Sequence, residues 1–176
     1  MTITQGESQM LEEFKTQDGV SLAEHAKQGT VMLVFLRHFG CIFCKQTVAR
    51  IVSLLPELKT LGVTPIFIHQ ESEGAEAFFS QFSAEYMLRV ADPSYRLYQH
   101  FGIPKVRFVD VVSPSAMLAG LSAYRAGFRQ TNATADPSQM PGLVILQPGK
   151  AEYRHQFKHA GDQPDYLGLI KQVRAS

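Results

Sequence analysis

The sequence predicts an α/β fold, a central mixed sheet flanked by helices, and three observations predict it. Val31-Met-Leu-Val-Phe-Leu36 is an unbroken β-prone apolar run, the pattern of a strand buried on both faces. Thr64-Pro-Ile-Phe-Ile68 and Tyr86 to Val90 repeat that pattern with helical segments between, an alternation that builds a mainly parallel sheet. Gly142-Leu-Val-Ile-Leu146, a turn at Gln147-Pro-Gly149 and a return through Ala151 to Phe157 read as a C-terminal antiparallel hairpin.

The elements follow in order. Asp18-Gly19 marks a turn, and Ser21 caps a short helix, Ser21 to Lys27. After the first strand, Val48, Ile51, Val52 and Leu55 recur at i, i+3, i+4 and i+7, so a helix begins near Cys41 and Pro56 kinks or ends it. Pro65 stands at the start of its strand, where a missing N–H is tolerated. Glu73 to Phe82 reads as a helix, and Ser94 to Phe101 as a shorter one stopped by Gly102. Val106 to Val112 fits a strand or a loop wall, Ala116 to Phe128 a helix, and Arg129 to Gln139 a polar surface loop. Asp162 to Asp165 resembles a helix start and Tyr166 to Val173 the final helix. The expectation is one domain over 1–176, its core at about 18–173, with an inserted segment at 103–139.

Composition narrows the partners. Lys plus Arg number 17 and Asp plus Glu 16, so no basic surplus favours nucleic acid. The longest apolar run, Val31 to Leu36, is too short to span a bilayer, and no membrane partner is expected. Met1-Thr-Ile-Thr-Gln-Gly-Glu7 has neither a basic nor an apolar leader region, so the expected location is cytoplasmic.

Cys41 and Cys44 are the only cysteines, and their spacing arises by chance in about one case in a hundred. A structural disulfide across so short a loop removes little entropy from the unfolded chain. A zinc site needs His155 and His159 as partners, and both lie far along the chain. A redox dithiol fits better. Cys41 falls at a helix N-terminus, where unpaired N–H groups and the dipole favour a thiolate, and Arg37, His38 and Lys45 add positive charge. Cys44 stands where a second thiol resolves what the first forms.

Phe35-Leu-Arg-His-Phe-Gly-Cys41-Ile-Phe-Cys44 resembles the peroxiredoxin-like 2 family, a thioredoxin-fold branch related to the AhpC/TSA group. Asp18 to Leu22, Leu97-Tyr98, Phe101-Gly102, Leu143 to Lys150 and Asp162-Gln-Pro164 are similar to family counterparts in the same order. The resemblance implies a thioredoxin-like fold and a thiol oxidoreductase acting on small peroxides or disulfides through a Cys41–Cys44 cycle, with thioredoxin or glutathione as reductant and no cofactor or metal. Peroxiredoxins carry Pro-x-x-x-Thr-x-x-Cys. Laid on Cys44 that pattern meets Arg37 and Cys41; laid on Cys41 it meets Val34 and His38. The later-strand Arg of peroxiredoxins would fall near Pro141, so it too is missing. Cys41 is read as the attacking thiol, although a peroxiredoxin-type alignment favours Cys44.

The remaining candidates each have a plainer reading. Arg37 lowers the thiol pKa or is a solvated strand-end charge; His38 donates a proton or is a satisfied histidine. Phe39 and Phe43 rim a substrate or pack the core. Met140-Pro141 precedes a strand, where the thioredoxin fold implies a cis-proline exposing backbone to substrate; the alternative is an ordinary loop proline. The rival to an enzyme is a non-catalytic redox-sensing or zinc-binding module using the same cysteines. Oligomeric state is left open.

Overall fold

The computed structural model describes residues 5–105, 113–150 and 152–175. The stretch Val106 to Val112, read above as strand or loop wall, lies outside the described residues.

Five strands form one sheet: β1 (Thr30–Phe35), β2 (Val63–His69), β3 (Leu88–Ala91), β4 (Gly142–Leu146) and β5 (Tyr153–His155), in the order β3-β2-β1-β4-β5. β1 runs parallel to β2, and β2 to β3, while β4 is antiparallel to β1 and to β5. Register is set at Leu33, which lies opposite Ile66 on one side and Val144 on the other. This is the mixed sheet of the thioredoxin-like fold.

All six residues of β1 are buried because both faces of the sheet are covered. Val31, Leu33 and Phe35 point to one side. There they meet Ile66, Ile68 and residues of α1 (Gln5–Glu13), α2 (Leu22–Gln28) and α6 (Arg96–His100). Met32 and Val34 point to the other, against α3 (Ile42–Ser53), α4 (Leu55–Thr60), α5 (Ala75–Ser80) and the last helix, α8 (Tyr166–Ala175). A further helix, α7 (Pro114–Arg125), packs on α3 through small residues, with Ala116 and Ala123 buried.

Boundaries follow local chemistry. Ser21 caps α2 by accepting the Glu24 N–H at 3.1 Å. α3 stops at Ser53, and Pro56 sits in the first turn of α4, where its missing N–H costs nothing. Pro65 lies one residue ahead of the β2–β3 ladder, so it removes no bond from that pairing. α6 begins later than its apolar pattern suggests. Tyr95 has φ 59°, and buried Asp92 accepts the N–H groups of Arg96 and Leu97 at 3.0 and 2.7 Å. α7 starts two residues earlier than read, at a Ser113 cap with Pro114 in its first turn, and ends at Arg125.

Candidate active site

β1 delivers the chain to the C-terminal edge of the parallel strands, and a turn through Arg37, His38, Phe39 and Gly40 feeds directly into α3. Cys41 is the N-cap residue of α3, with extended backbone (φ −72°, ψ 124°), and Cys44 lies in the first turn. Both are free thiols, and Cys41 has no exposed surface.

Arg37 organises the pair. Its Nη1 donates to Cys41 Sγ at 3.4 Å, and its backbone N–H donates to Cys44 Sγ at 3.1 Å. The rest of the guanidinium is spent on backbone carbonyls: Nε donates to Gln139 O at 2.9 Å and Nη2 to Pro137 O at 2.5 Å. Arg37 is therefore a buried, fully engaged side chain rather than a solvated charge.

The two thiols are unlike. The Cys41 pKa is lowered to about 6. The Cys44 S–H donating to its sulfur is the largest cause, followed by the Arg37 charge and the first-turn amides of Cys44 and Phe43, all against the opposing cost of burial. The Cys44 pKa is raised well above its ordinary value by burial and then by its hydrogen bond to Cys41. The two shifts run in opposite directions, favouring ionisation of Cys41 over Cys44.

Residues 129–139 form a largely exposed loop, as their polarity predicts, and it is strapped across the turn. Thr131 N–H donates to Gly40 O at 2.9 Å, Gln130 Oε1 accepts the Ile42 N–H at 2.9 Å, and Lys45 Nζ donates to Arg129 O at 2.9 Å. A Cβ on Gly40 would lie 1.9 Å from Asn132 O, so only glycine permits this approach. Two residues after β2 pin the strap from below. Glu71 Oε1 accepts from Phe39 N–H at 2.8 Å and from the Thr134 hydroxyl at 2.5 Å. Gln70 Oε1 accepts the Asp136 N–H at 3.1 Å, and its Nε2 donates to Arg37 O. Asp136 also pairs with Lys105 at 2.8 Å, which, with Ser138, holds its carboxyl at about 2.

The other candidates divide. His38 is buried beside the motif with an unpartnered Nδ1. Burial, then Arg37 and Lys45, lower its pKa to about 4, so it stands at neutral pH as an uncharged ring. Phe39 stacks on Phe78 at 4.4 Å and floors a cleft of about 540 Å³ that Lys45, Glu71 and Thr134 also line. Phe43 points the other way, into Gly161 and Gly120. Met140 and Pro141 border a groove of about 380 Å³ with Phe157 and Arg154. The Met140–Pro141 bond is trans, like every described peptide bond, which corrects the expectation of a cis-proline. The backbone ahead of it is also not offered to a substrate. Met140 N–H donates to Pro104 O at 3.1 Å, Gln139 O is taken by Arg37, and both residues are buried.

Sequence reasoning missed Gln70, Glu71, Gln139 and the strap. A polar triplet, His69-Gln-Glu71, at the carboxyl end of a buried parallel strand was the available signal, since α/β sheets place their sites at that edge. Among the described residues no group of three or more His, Cys, Asp or Glu side chains could hold a metal ion, so the zinc reading finds no ligand set there. No helix among them is long and apolar enough to cross a membrane.

The fold is the thioredoxin-like one, with Cys41 and Cys44 at the start of α3. The sequence pattern of the AhpC/TSA antioxidant enzyme family matches residues 50–159, more than half of the chain, and the chain belongs to that family. The match begins after Cys44, so it rests on the sequence that follows α3's first turns rather than on the cysteine pair. A thioredoxin-like protein AAED1, chloroplastic, of Arabidopsis thaliana is 27% identical over 169 residues. That alignment covers 86% of this chain and 65% of the relative, so the chain spans less than two thirds of that protein. A prostamide/prostaglandin F synthase of Salmo salar is 29% identical over 157 residues, covering 86% of this chain and 76% of the relative. Among solved structures, a cysteine variant of Xanthomonas campestris peroxiredoxin Q superposes with TM-score 0.62 at 15% identity, covering 95% of this chain and 94% of that one. A Xylella fastidiosa PrxQ variant gives 0.64 at 12% identity, covering 99% and 94%. At such identities the likeness is one of fold.

Proposed function

We propose that this protein reduces a small peroxide or disulfide through a Cys41–Cys44 dithiol cycle. The observation that supports the reading is the asymmetry of the two sulfurs, one held as a thiolate by Arg37 and the helix start, the other kept protonated against apolar surroundings.

With a hydroperoxide, the Cys41 thiolate attacks the terminal peroxide oxygen, the O–O bond breaks, and the leaving alkoxide takes a proton to become an alcohol. Cys41 is then a sulfenic acid, oxidised by two electrons. Cys44 attacks that sulfur and gives up its proton as hydroxide leaves, so water is released and a Cys41–Cys44 disulfide forms. With a disulfide substrate the first product is a mixed disulfide, and Cys44 displaces the second substrate thiol. A dithiol such as thioredoxin, or two glutathiones, returns the pair to its reduced state. His38, held uncharged, is a poor proton donor, so the alkoxide takes its proton from solvent. Because Cys41 has no exposed surface, its cover must move before substrate reaches it, and the strap, tied to Gly40 and Ile42 on either side, is the segment assigned that movement.

Replacing each cysteine separately by serine tests the order. Cys44→Ser should accumulate a sulfenic acid or mixed disulfide on Cys41; adducts found only on Cys44, in the Cys41→Ser protein, would reverse it. Wild-type protein should turn over at least one of hydrogen peroxide, an organic hydroperoxide or a small disulfide with thioredoxin or glutathione present. Silence on all three would overturn the reading in favour of a non-catalytic redox module.

A further inference from the structure

Arg37 can stabilise a thiolate only if its guanidinium stays against Cys41, and nothing on Arg37 itself fixes it there. Its direction is set by Pro137 O and Gln139 O, which belong to a segment about 100 residues away in sequence. The question is what holds those carbonyls in place.

Gln70 is 3% exposed and follows directly on β2. Its side-chain amide clasps the Asp136 peptide from both sides, Oε1 accepting the Asp136 N–H at 3.1 Å and Nε2 donating to Asp136 O at 3.4 Å. The same Nε2 donates to the backbone carbonyl of Arg37. One amide thus joins the residue that carries the guanidinium to the residue immediately before Pro137, whose carbonyl aims it. Gln70 touches neither sulfur and carries no charge. The other strap ties sit elsewhere: Lys45 and Gly40 hold residues 129 and 131, Glu71 holds Thr134, Lys105 takes the Asp136 carboxylate rather than its peptide, and Gln139 is held separately by its own Nε2 on Pro104 O at 3.1 Å and a bridge to Lys105.

We propose that Gln70 is a positioning residue for the thiol reaction, fixing Asp136 and Arg37 at one spacing so that the adjacent Pro137 carbonyl directs the guanidinium onto Cys41. The proposal rests on Cys41 being the attacking thiolate. Glutamine suits the task because its amide both accepts and donates. Glutamate at the same place presents two acceptors to the carbonyls of Arg37 and Asp136, and a hydrocarbon of equal length presents nothing.

The test is a pH profile. Thiolate ultraviolet absorbance and the rate of peroxide or disulfide reduction are followed across pH in wild type, Gln70→Met and Gln70→Glu, with thermal melts of each. Wild type should titrate near pH 6. Both variants should titrate about one unit higher, so their rates fall about fivefold near pH 6 and nearly recover above pH 9, where the thiol ionises regardless. A group that merely supports the fold would lower the melting temperature and leave the titration midpoint in place; that outcome in the better-folded of the two variants overturns the proposal. A wild-type midpoint at an ordinary cysteine value would instead overturn the thiolate reading beneath it, and the assignment of Gln70 with it.

Discussion

The surroundings of Cys41 and of Cys44 differ more than three residues of separation would suggest. Around Cys41 lie Arg37, the open amides of a helix start and a strap whose backbone carbonyls hold the arginine. Around Cys44 lie Val34, Leu36, Phe157, Ala160 and Tyr166, enclosing a space of about 10 Å³. Both thiols are buried, so burial alone does not decide ionisation. What decides it is whether fixed donors replace the water that was removed. The contrast also assigns labour, since the sulfur beside a guanidinium is suited to attack, and the one that meets only backbone N–H groups in apolar surroundings to wait as a thiol.

The largest change should come from erasing the donors around Cys41. Arg37→Leu removes the cation and strands Pro137 O and Gln139 O without partners. The thiolate midpoint should rise by about 1–2 units, and stability should fall by about 2–4 kcal/mol in urea titrations. A midpoint that stays near 6 would show that the Cys44 S–H and the helix start suffice without the arginine.

Next comes the link between the two regions. The Cys44 S–H is the leading cause of the low Cys41 pKa. Cys44→Ala should therefore raise the Cys41 midpoint while costing about 1–3 kcal/mol of stability, because the buried Arg37 N–H loses its acceptor. It also removes internal resolution, so oxidised Cys41 should persist or pair with an external thiol.

Gly40→Ala attacks the cover instead. The new Cβ meets the Asn132 carbonyl, a backbone atom that cannot rotate away, so the strap must lift. Alkylation of Cys41 by iodoacetamide should quicken several-fold, with a loss of about 1–3 kcal/mol in stability. An unchanged alkylation rate would mean that the strap is not what limits access.

The pH dependence of stability tests the same shell without mutation. Cys41 has its pKa lowered on folding, so its contribution is fully present above the ordinary thiol value near 9 and is lost as pH falls through about 6. His38 and His69 are held uncharged, with pKa lowered to about 4, mainly by burial. Below 6.5 the unfolded chain binds protons that these rings refuse, so they too destabilise the fold as pH falls toward 4. Urea midpoints should thus rise with pH from 4 to 9, and Cys41→Ser should flatten the segment between 6 and 9 only.

Much of this contrast was legible in the sequence, and the division has a physical basis. The strand, the turn, the cysteine pair and the helix are consecutive, and each announces itself by residue type and period within a few positions. Arg37 was visible for the same reason. The strap was not. Its contribution comes from the carbonyls of Pro137 and Gln139, which any residue possesses, so composition showed only a polar loop. Gln70 escaped because a single amide at a strand end acquires meaning only when Asp136 folds over it. The cis-proline expectation failed similarly. The pairing of Met140 with Pro104 is a long-range fact that the dipeptide itself does not carry.

The smallest predicted effect separates stability from chemistry. Ser21 caps α2 on the sheet face opposite the cysteines, accepting the Glu24 N–H and donating to Glu12 Oε2 at 3.0 Å. Ser21→Ala removes both bonds and should cost about 1 kcal/mol. Nothing in that change reaches Arg37, the strap or the start of α3, so the thiolate midpoint should remain near 6 while the urea midpoint falls. If the midpoint moved as well, the Cys41 environment would be responding to global stability rather than to its own donors. Then the Arg37, Cys44 and Gly40 variants would have to be read as effects of a loosened fold.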